Sequence, residues 1–177
     1  MLAAISHMTN KAAFFDRDGV LNVDVHYLYR KNDFIWTEGA IDAIKYCKAE
    51  GYKVIVITNQ SGVARGYYTE KDVKALHVWM NEELAKHGAH IDDFFYCPHH
   101  PEGTVPGYNF ACDCRKPSPK LIDRACAKYA IDKSQSFMIG DKSSDMECAE
   151  NARVCGILFR GGSLYEQVKK ALEALHI

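Results

Sequence analysis

Two carboxylates lie two residues apart, directly after a short apolar segment near the start of the chain. Ala12-Ala13-Phe14-Phe15 leads into Asp16-Arg17-Asp18-Gly19, so a strand is predicted to end where a tight turn begins. Side chains two apart on an extended segment point the same way, which aims Asp16 and Asp18 at one small volume. Open α/β sheets bind ligands at this carboxyl edge. The pair indicates phosphoryl transfer assisted by Mg²⁺, because that ion binds carboxylate and phosphate oxygens together.

Two other interpretations of this string are open. An ordinary Asp-rich turn has the same composition. A calcium loop is disfavoured, because Gly19 comes too early in the pattern and no closing glutamate follows. The choice depends on what else the chain supplies.

The composition predicts one globular domain over residues 1–177. The 177 residues are 47% hydrophobic and 25% charged, with a net charge of -1. This balance gives no basic stripe and disfavours general binding to nucleic acid or to an anionic membrane, so we expect a small-molecule partner and a monomer. No apolar run has the length of a membrane span, and the first ten residues lack the pattern of a signal peptide. We expect a cytoplasmic protein, with residues 1–8 disordered or derived from an expression vector.

Short apolar or β-branched segments alternate with helical periodicity. Strands are predicted over 12–15, 54–57, 94–96, 137–139 and 154–159, and helices are predicted to begin near 37, 69, 119, 142 and 163. Alternation of this kind is typical of an α/β fold, a Rossmann-like three-layer sandwich with a central parallel sheet. Two long connections, 22–36 and 98–119, are of a length that is usually functional in a compact domain.

One helix carries aromatic and histidine side chains that need an interpretation. The helix predicted to begin at Thr69 has apolar residues at helical spacing from Val73 to Leu84. We therefore interpret His77 and Trp79 as packing residues and not as site residues.

Three further polar segments follow predicted strands or precede predicted helices. Thr58 ends the second strand and offers a hydroxyl; Lys116 follows Arg115 just before a helix; Asp141 ends the fourth strand. Hydroxyls and cations bind phosphoryl oxygens. A polar turn, a solvated basic pair and a helix N-cap are the respective alternatives. Together with Asp16, the segments favour a single phosphate-handling site at one sheet edge.

Cys97-x-His99 and Cys112-x-Cys114 supply three thiolates and an imidazole within residues 97–114. This is the ligand count of a closed, tetrahedral structural Zn²⁺ site. Prolines and glycines between the two pairs disfavour the alternative, a set of thiols buried in a regular core. From the spacing alone, His100 can replace His99 as a ligand.

The four segments resemble the motifs of the haloacid dehalogenase (HAD) superfamily of aspartate-nucleophile phosphatases, in the same order along the chain. Within it, the strings FFDRDGVLN, TNQSGVARGYY, CPHHPEG and CDCRKPSP resemble the heptose 1,7-bisphosphate phosphatases, which are related to histidinol-phosphate phosphatases. The resemblance implies a core without a separate cap domain, partly covered by the loop that Cys97, His99, Cys112 and Cys114 would fold around Zn²⁺.

The resemblance also implies roles for individual residues. Asp16 would be the nucleophile and Asp18 the general acid and base, while Thr58 and Lys116 stabilise the transferring phosphoryl group. Mg²⁺ would be held by Asp16, the backbone carbonyl of Asp18 and Asp141, with Asp145 as an outer partner. The implied substrate-binding residues are Asp24, Val25, His26, Tyr27, Asn59, Gln60, Ser61, Arg115 and Lys142.

The expected activity is hydrolysis of the C7 phosphate of a heptose 1,7-bisphosphate. The product would serve nucleotide activation and cell-envelope glycan synthesis, such as that of lipopolysaccharide. The alternatives are a histidinol-phosphate phosphatase, a phosphomutase, and a zinc-stabilised binding module without catalysis. A phosphomutase would need a cap that excludes water from the aspartyl-phosphate.

Overall fold

A computed structural model describes residues 9–175 of the chain. The segment 1–8, expected to be disordered or vector-derived, lies outside the described residues. Five parallel strands form one sheet in the order β3-β2-β1-β4-β5. The strands are β1 (Lys11–Phe15), β2 (Tyr52–Asn59), β3 (Asp93–Cys97), β4 (Phe137–Gly140) and β5 (Cys155–Leu158). Each predicted strand is present, and β2 extends two residues beyond its prediction at both ends.

Helices connect the strands and cover both faces of the sheet. They are α1 (Ala40–Ala49), α2 (Glu70–Ala85), α3 (Lys120–Tyr129), α4 (Ser143–Ala152) and α5 (Leu164–Leu175). The N-terminus of α2 is fixed by a capping box, in which the Asp72 backbone N–H donates to Thr69 and the Thr69 backbone N–H donates to Asp72. Helix α3 begins one residue after Pro119, which lies at the N-cap.

Alternate residues of β1 enter two separate cores. Ala13 and Phe15 pack with α1, α2 and α5 on one face of the sheet. Ala12 and Phe14 pack with α3 and α4 on the other face. Because side chains of a strand alternate between faces, a strand buried on both sides is apolar throughout. The predicted three-layer α/β sandwich is confirmed.

The two long connections lie at the carboxyl edge of the sheet. In the loop 22–36, the stem is closed by a bridge between Asn22 and Trp36 and by a hydrogen bond from the Val23 N–H to the Ile35 carbonyl at 2.9 Å. The second loop is tied down where two successive N–H groups, at 104 and 105, donate to the carbonyl of Ala64. Among residues 9–175, no helix has the length and hydropathy needed to cross a bilayer.

Candidate active site

Asp16 lies at the carboxyl end of β1, beside the end of β4. Its backbone N–H donates to the carbonyl of Ile139 at 3.0 Å, which extends the pairing of the two strands by one residue. The side chain is almost fully buried, and an oxygen of its carboxylate is 2.8 Å from the Nζ of Lys116. Burial raises the pKa of Asp16 to about 6; the charge of Lys116 opposes the shift and that of Asp145 adds to it.

Lys116 is a buried cation between two carboxylates. Its Nζ is 2.8 Å from Asp16 and 2.6 Å from Asp145, and it donates to the carbonyl of Ile57 at 3.0 Å. Burial lowers the pKa of this amine, but the two carboxylates outweigh burial and the pKa is raised. Asn59 fixes the backbone, accepting from the Lys116 N–H at 3.0 Å and donating to its carbonyl at 3.3 Å. The ammonium group is therefore charged and held in place.

Three carboxylates converge beside this cation. One oxygen from each of Asp16, Asp141 and Asp145 lies within 4.8 Å of the others. Burial raises the pKa of Asp141, and its Oδ1 is buried without a hydrogen-bond partner among the described residues. A Cβ at Gly19, whose φ is +87°, would collide with the Asp141 carboxylate. This crowded, unsatisfied oxygen set fits a hard divalent cation such as Mg²⁺.

Asp18 turns away from the three carboxylates and toward Arg17. The Nη2 of Arg17 is 3.0 Å from each carboxylate oxygen of Asp18, and Asn22 and Gln60 donate to the same carboxylate at 3.1 and 2.9 Å. Burial alone would raise the pKa of Asp18, but the charge of Arg17 and these hydrogen bonds lower it overall. Asp18 is therefore ionised here, which is the form that a general base requires.

Gln60 connects Asp18 to Thr58 beneath the cleft. Its Nε2 donates at 2.9 Å to the Asp18 carboxylate and at 2.9 Å to the Thr58 hydroxyl oxygen, while its Oε1 accepts from the Tyr68 hydroxyl at 2.8 Å. Because the Thr58 oxygen accepts this bond, its own hydroxyl hydrogen is free to point into the cleft. Gln60 is only 1% exposed, so it lies under the cleft surface and not on it.

A cleft of about 250 Å³ opens above these residues. The structure brings most of the predicted catalytic and substrate-binding residues to its surface: Asp16, Asp18, Asp24, His26, Tyr27, Thr58, Asn59, Ser61, Arg115, Lys116 and Lys142. Two expected residues are not on this surface. Gln60 is buried below it, and Val25 points into a neighbouring groove beside Ile35.

Two residues that were not anticipated also line the cleft. Tyr68 donates to Gln60 and is the last residue of the string TNQSGVARGYY. The family resemblance of that string could therefore have identified Tyr68 as a site residue. Ser144 is the second residue of α4, and no sequence pattern distinguished it.

The cysteine and histidine pairs meet at the end of β3. The ligand atoms of Cys97, His99, Cys112 and Cys114 all lie within 4.8 Å of one another. The Nδ1 of His99 is 3.7 Å from the Cys97 sulfur and 3.9 Å from the Cys114 sulfur. His100 instead accepts from the backbone N–H of residue 102 and contacts the Arg65 guanidinium at 3.4 Å. The geometry therefore groups His99 with the thiols, and this donor set fits a four-coordinate Zn²⁺.

Known phosphatases resemble this chain in both sequence and fold. Residues 113–174 match the model of a family described as HAD-hydrolase-like. The chain is 47% identical to the D-glycero-beta-D-manno-heptose-1,7-bisphosphate 7-phosphatase of Rhodopseudomonas palustris over 161 residues. This alignment covers 91% of this chain and 89% of that protein. The chain belongs to the heptose-bisphosphate phosphatase family.

Other relatives support this family membership. The D-glycero-alpha-D-manno-heptose-1,7-bisphosphate 7-phosphatase of Photorhabdus laumondii is 42% identical over 170 residues, 95% of this chain and 93% of that one. A putative HAD-like phosphatase from Mesorhizobium loti superposes with a TM-score of 0.85 at 30% identity, covering 94% and 88% of the two chains. The D,D-heptose 1,7-bisphosphate phosphatase from B. bronchiseptica, complexed with magnesium and phosphate, gives 0.75 at 26%, covering 93% and 99%.

Two further cations of this heptose-bisphosphate phosphatase family member, Arg115 and Lys142, line the cleft. The Nη1 of Arg115 is buried without a hydrogen-bond partner among residues 9–175, and burial lowers the pKa of its guanidinium. Lys142 lies 3.5 Å from the carboxylate of Asp24, which also accepts from the His26 backbone N–H at 2.9 Å. An anionic group on the substrate would find an unsatisfied donor at Arg115.

In this phosphatase, His77 packs as expected, but it also contacts the site. Its ring stacks on Phe94 with centroids 4.2 Å apart, and its Nε2 lies 3.4 Å from the Nη1 of Arg17. Burial, helped by the charge of Arg17, lowers the pKa of His77 to about 3, so the ring is neutral. Periodicity located the buried face of α2 correctly and missed this polar contact, because Arg17 is distant in sequence. Trp79 packs against Phe34 as expected.

Proposed function

We propose that this phosphatase hydrolyses the C7 phosphate ester of D-glycero-D-manno-heptose 1,7-bisphosphate and leaves the C1 phosphate in place. The observation that carries the proposal is the convergence of Asp16, Lys116 and Arg115 on one cleft, in a chain 47% identical to a phosphatase named for this substrate. A bisphosphate needs a catalytic centre for the phosphate that reacts and a separate cation for the phosphate that is retained. Lys116 supplies positive charge for the reacting phosphate, and Arg115 supplies it for the retained phosphate.

The reaction would proceed through an aspartyl-phosphate. As the anionic substrate binds beside it, Asp18 takes up a proton, because a nearby negative charge favours the neutral acid. The Asp16 carboxylate then attacks phosphorus, the bond from phosphorus to the C7 oxygen breaks, and Asp18 gives its proton to that oxygen. Water then attacks the same phosphorus while Asp18 takes its proton, which releases inorganic phosphate and restores Asp16. The Thr58 hydroxyl and the Lys116 ammonium hold the phosphoryl oxygens in both steps, a form of electrostatic stabilisation.

Mg²⁺ would be held by Asp16, Asp141 and the backbone carbonyl of Asp18. When bound, it supplies positive charge to the phosphoryl group. Asp145 accepts from the backbone N–H groups of Asp141 and Lys142 at 3.2 and 3.1 Å, so it orients the start of α4 and acts as an outer partner.

Zn²⁺ would be held by Cys97, His99, Cys112 and Cys114, a closed set without an open catalytic position. Cys97 is the last residue of β3, so the ion would fasten the loop to the sheet. Arg115 directly follows the last ligand. The ion would therefore have a structural role, ordering the loop that presents Arg115 and Lys116.

The other substrate contacts are assigned to the cleft residues Asp24, His26, Tyr27, Asn59, Ser61 and Lys142, with Val25 and Gln60 in supporting positions. We further propose that the chain acts as a single-domain monomer in the cytoplasm, with a small sugar phosphate as its partner. The absence of a cap insertion within residues 9–175 leaves the cleft open, which suits hydrolysis by water.

The experiment compares phosphate release from heptose 1,7-bisphosphate and from histidinol phosphate, with wild type and Asp16→Asn. We expect the bisphosphate to be preferred and Asp16→Asn to lose nearly all turnover, because the amide is not a nucleophile. Mass spectrometry should detect the phosphoenzyme in wild type. Asp42→Asn, an exposed aspartate on α1, is the matched control. A preference for histidinol phosphate would overturn the substrate, and an active Asp16→Asn enzyme would overturn the mechanism.

A further inference from the structure

We propose that Arg17 is a positioning residue, which holds the carboxylate of Asp18 at the angle needed for proton transfer, and that His77 fixes Arg17 from α2. The inference rests on the proposed function in one respect, the acid and base role of Asp18. The Arg17 side chain lines no part of the cleft, and among the site side chains its guanidinium contacts Asp18 and Gln60, so it acts on the reaction through these neighbours and not by touching the substrate.

The guanidinium of Arg17 donates three hydrogen-bond contacts to the carboxylate of Asp18. Nη2 is 3.0 Å from both carboxylate oxygens, and Nε is 3.3 Å from one of them. A guanidinium is planar and its donors are fixed relative to one another, so three contacts define the plane of the carboxylate as well as its position. A lysine at this place would supply the charge without that orientation.

Three other chain segments hold the guanidinium itself. Nη2 donates to the carbonyl of Leu28 at 2.9 Å, in the loop 22–36, and to the Oε1 of Gln60 at 3.3 Å, after β2. Nη1 meets the Nε2 of His77 at 3.4 Å. His77 is locked by its stacking on Phe94, with ring planes 13° apart. Arg17 has no solvent exposure, so these contacts leave its head group no room to move.

The buried pair of Arg17 and Asp18 contributes little net free energy to folding, which indicates that it has a role in function. Arg17 is fully buried and the Asp18 side chain is only 20% exposed, so most of this ion pair is removed from water, and an apolar pair of similar volume is often as stable or more so. A general acid, by contrast, must be held within about 0.5 Å of its working geometry. The network around Arg17 provides that restraint.

The leaving group of the substrate separates positioning of Asp18 from a merely structural role. kcat/KM reports the steps up to departure of the alcohol. A sugar alkoxide needs a proton from Asp18 to leave, whereas p-nitrophenolate leaves without one. Misplacing Asp18 should therefore lower kcat/KM for an alkyl phosphate and leave that for p-nitrophenyl phosphate almost unchanged. kcat should fall for both esters, because water attack also needs Asp18.

The first variant is His77→Phe, which keeps a stacked ring and removes the acceptor for Arg17. General acid–base catalysis contributes about 10²–10⁴-fold. Partial loss through His77 should lower kcat/KM about 10-fold for the primary sugar monophosphate that wild type hydrolyses fastest, and less than about 2-fold for p-nitrophenyl phosphate. His77→Gln restores an acceptor and should recover most of the loss. His87→Phe, the same change at an exposed position in the turn after α2, is the control.

The second variant is Arg17→Lys, which keeps the charge and removes the planar grip; it should show the same split between esters, with a larger loss. Circular dichroism and thermal unfolding check that each variant is folded. An equal fall of kcat/KM for both esters in a folded variant would make Arg17 a structural residue only. An unaffected His77→Phe enzyme would remove His77 from the proposal. Because both esters are monophosphates, the split is measurable even if the heptose bisphosphate proves not to be the substrate.

Discussion

Replacing Lys116 by methionine should separate two roles of this buried cation. Its Nζ is 2.8 Å from Asp16 and 2.6 Å from Asp145, and the side chain is only 2% exposed. Methionine fills a similar volume without charge. The change would leave two neighbouring carboxylates, and Asp141 beside them, without their protein cation.

The structure sets the expected size of the effect. Removing one partner of a buried ion pair typically costs about 3–5 kcal/mol of unfolding free energy. For a chain of this length, Tm changes by roughly 2–4 °C per kcal/mol, so Tm should fall by roughly 6–20 °C in magnesium-free buffer. Mg²⁺ should then raise Tm more in Lys116→Met than in wild type, because the carboxylates of the variant have no other cation. Turnover should stay about 10²–10³-fold low even with Mg²⁺, because the phosphoryl group has lost a donor.

The assay is thermal unfolding with and without Mg²⁺, alongside phosphate release at saturating Mg²⁺. Lys86→Met is the control, since the pair of Lys86 with Glu83 is largely exposed and such pairs contribute about 0–1 kcal/mol. If Lys116→Met has the Tm and the magnesium response of wild type, the ion pairs of Lys116 with Asp16 and Asp145 do not contribute measurably to the free energy of unfolding. Near-normal turnover would remove Lys116 from the phosphoryl site.

Three further predictions concern pH, zinc and the second anion. Folding raises the pKa of Asp16 from 3.8 to about 6, so the folded protein binds a proton more tightly than the unfolded chain does. The resulting stabilisation is complete below pH 3.8 and should be lost as pH rises through 6. Plots of Tm against pH in magnesium-free buffer should show this fall in wild type and not in Asp16→Asn. Purified protein should contain about one zinc per chain, and Cys112→Ser should lower zinc content, Tm and turnover together; zinc-free protein of full activity and unchanged Tm would contradict this. Arg115→Ala should cost about 1.5–3 kcal/mol in kcat/KM for heptose 1,7-bisphosphate and less for monophosphate esters; an equal loss for all esters would contradict a clamp on the second phosphate.

Most of the fold and the catalytic centre could be predicted because their signals are local. Asp16 and Asp141 each follow a buried strand, and parallel strands end at a common edge, so their meeting follows from the alternation of elements alone. The same holds for Cys97, which ends β3 and therefore starts the loop at a known place. Short spacings and strand ends carry this information without any knowledge of packing.

The contacts that escaped prediction depend on where loops place their side chains. Gln60 follows a strand just as Thr58 does, but its amide turns inward because Asp18, Thr58 and Tyr68 satisfy it there. Val25 belongs to the same loop as Asp24 and faces a different groove. Which way such a side chain turns is decided by partners distant in sequence, and no periodicity encodes it.

The closed stem of the loop 22–36 makes its contents exchangeable. The Asn22–Trp36 bridge and the hydrogen bond from Val23 to Ile35 join the two ends independently of what lies between them. Extra residues in a loop with fixed ends cost little free energy, about 0.6 kcal/mol per doubling of length. A segment carrying Asp24, His26 and Tyr27 can thus be replaced by one of another length while β1 and Asp16 keep their positions. The fold can in this way acquire new substrates by grafting one loop, provided that the graft returns a carbonyl to Arg17.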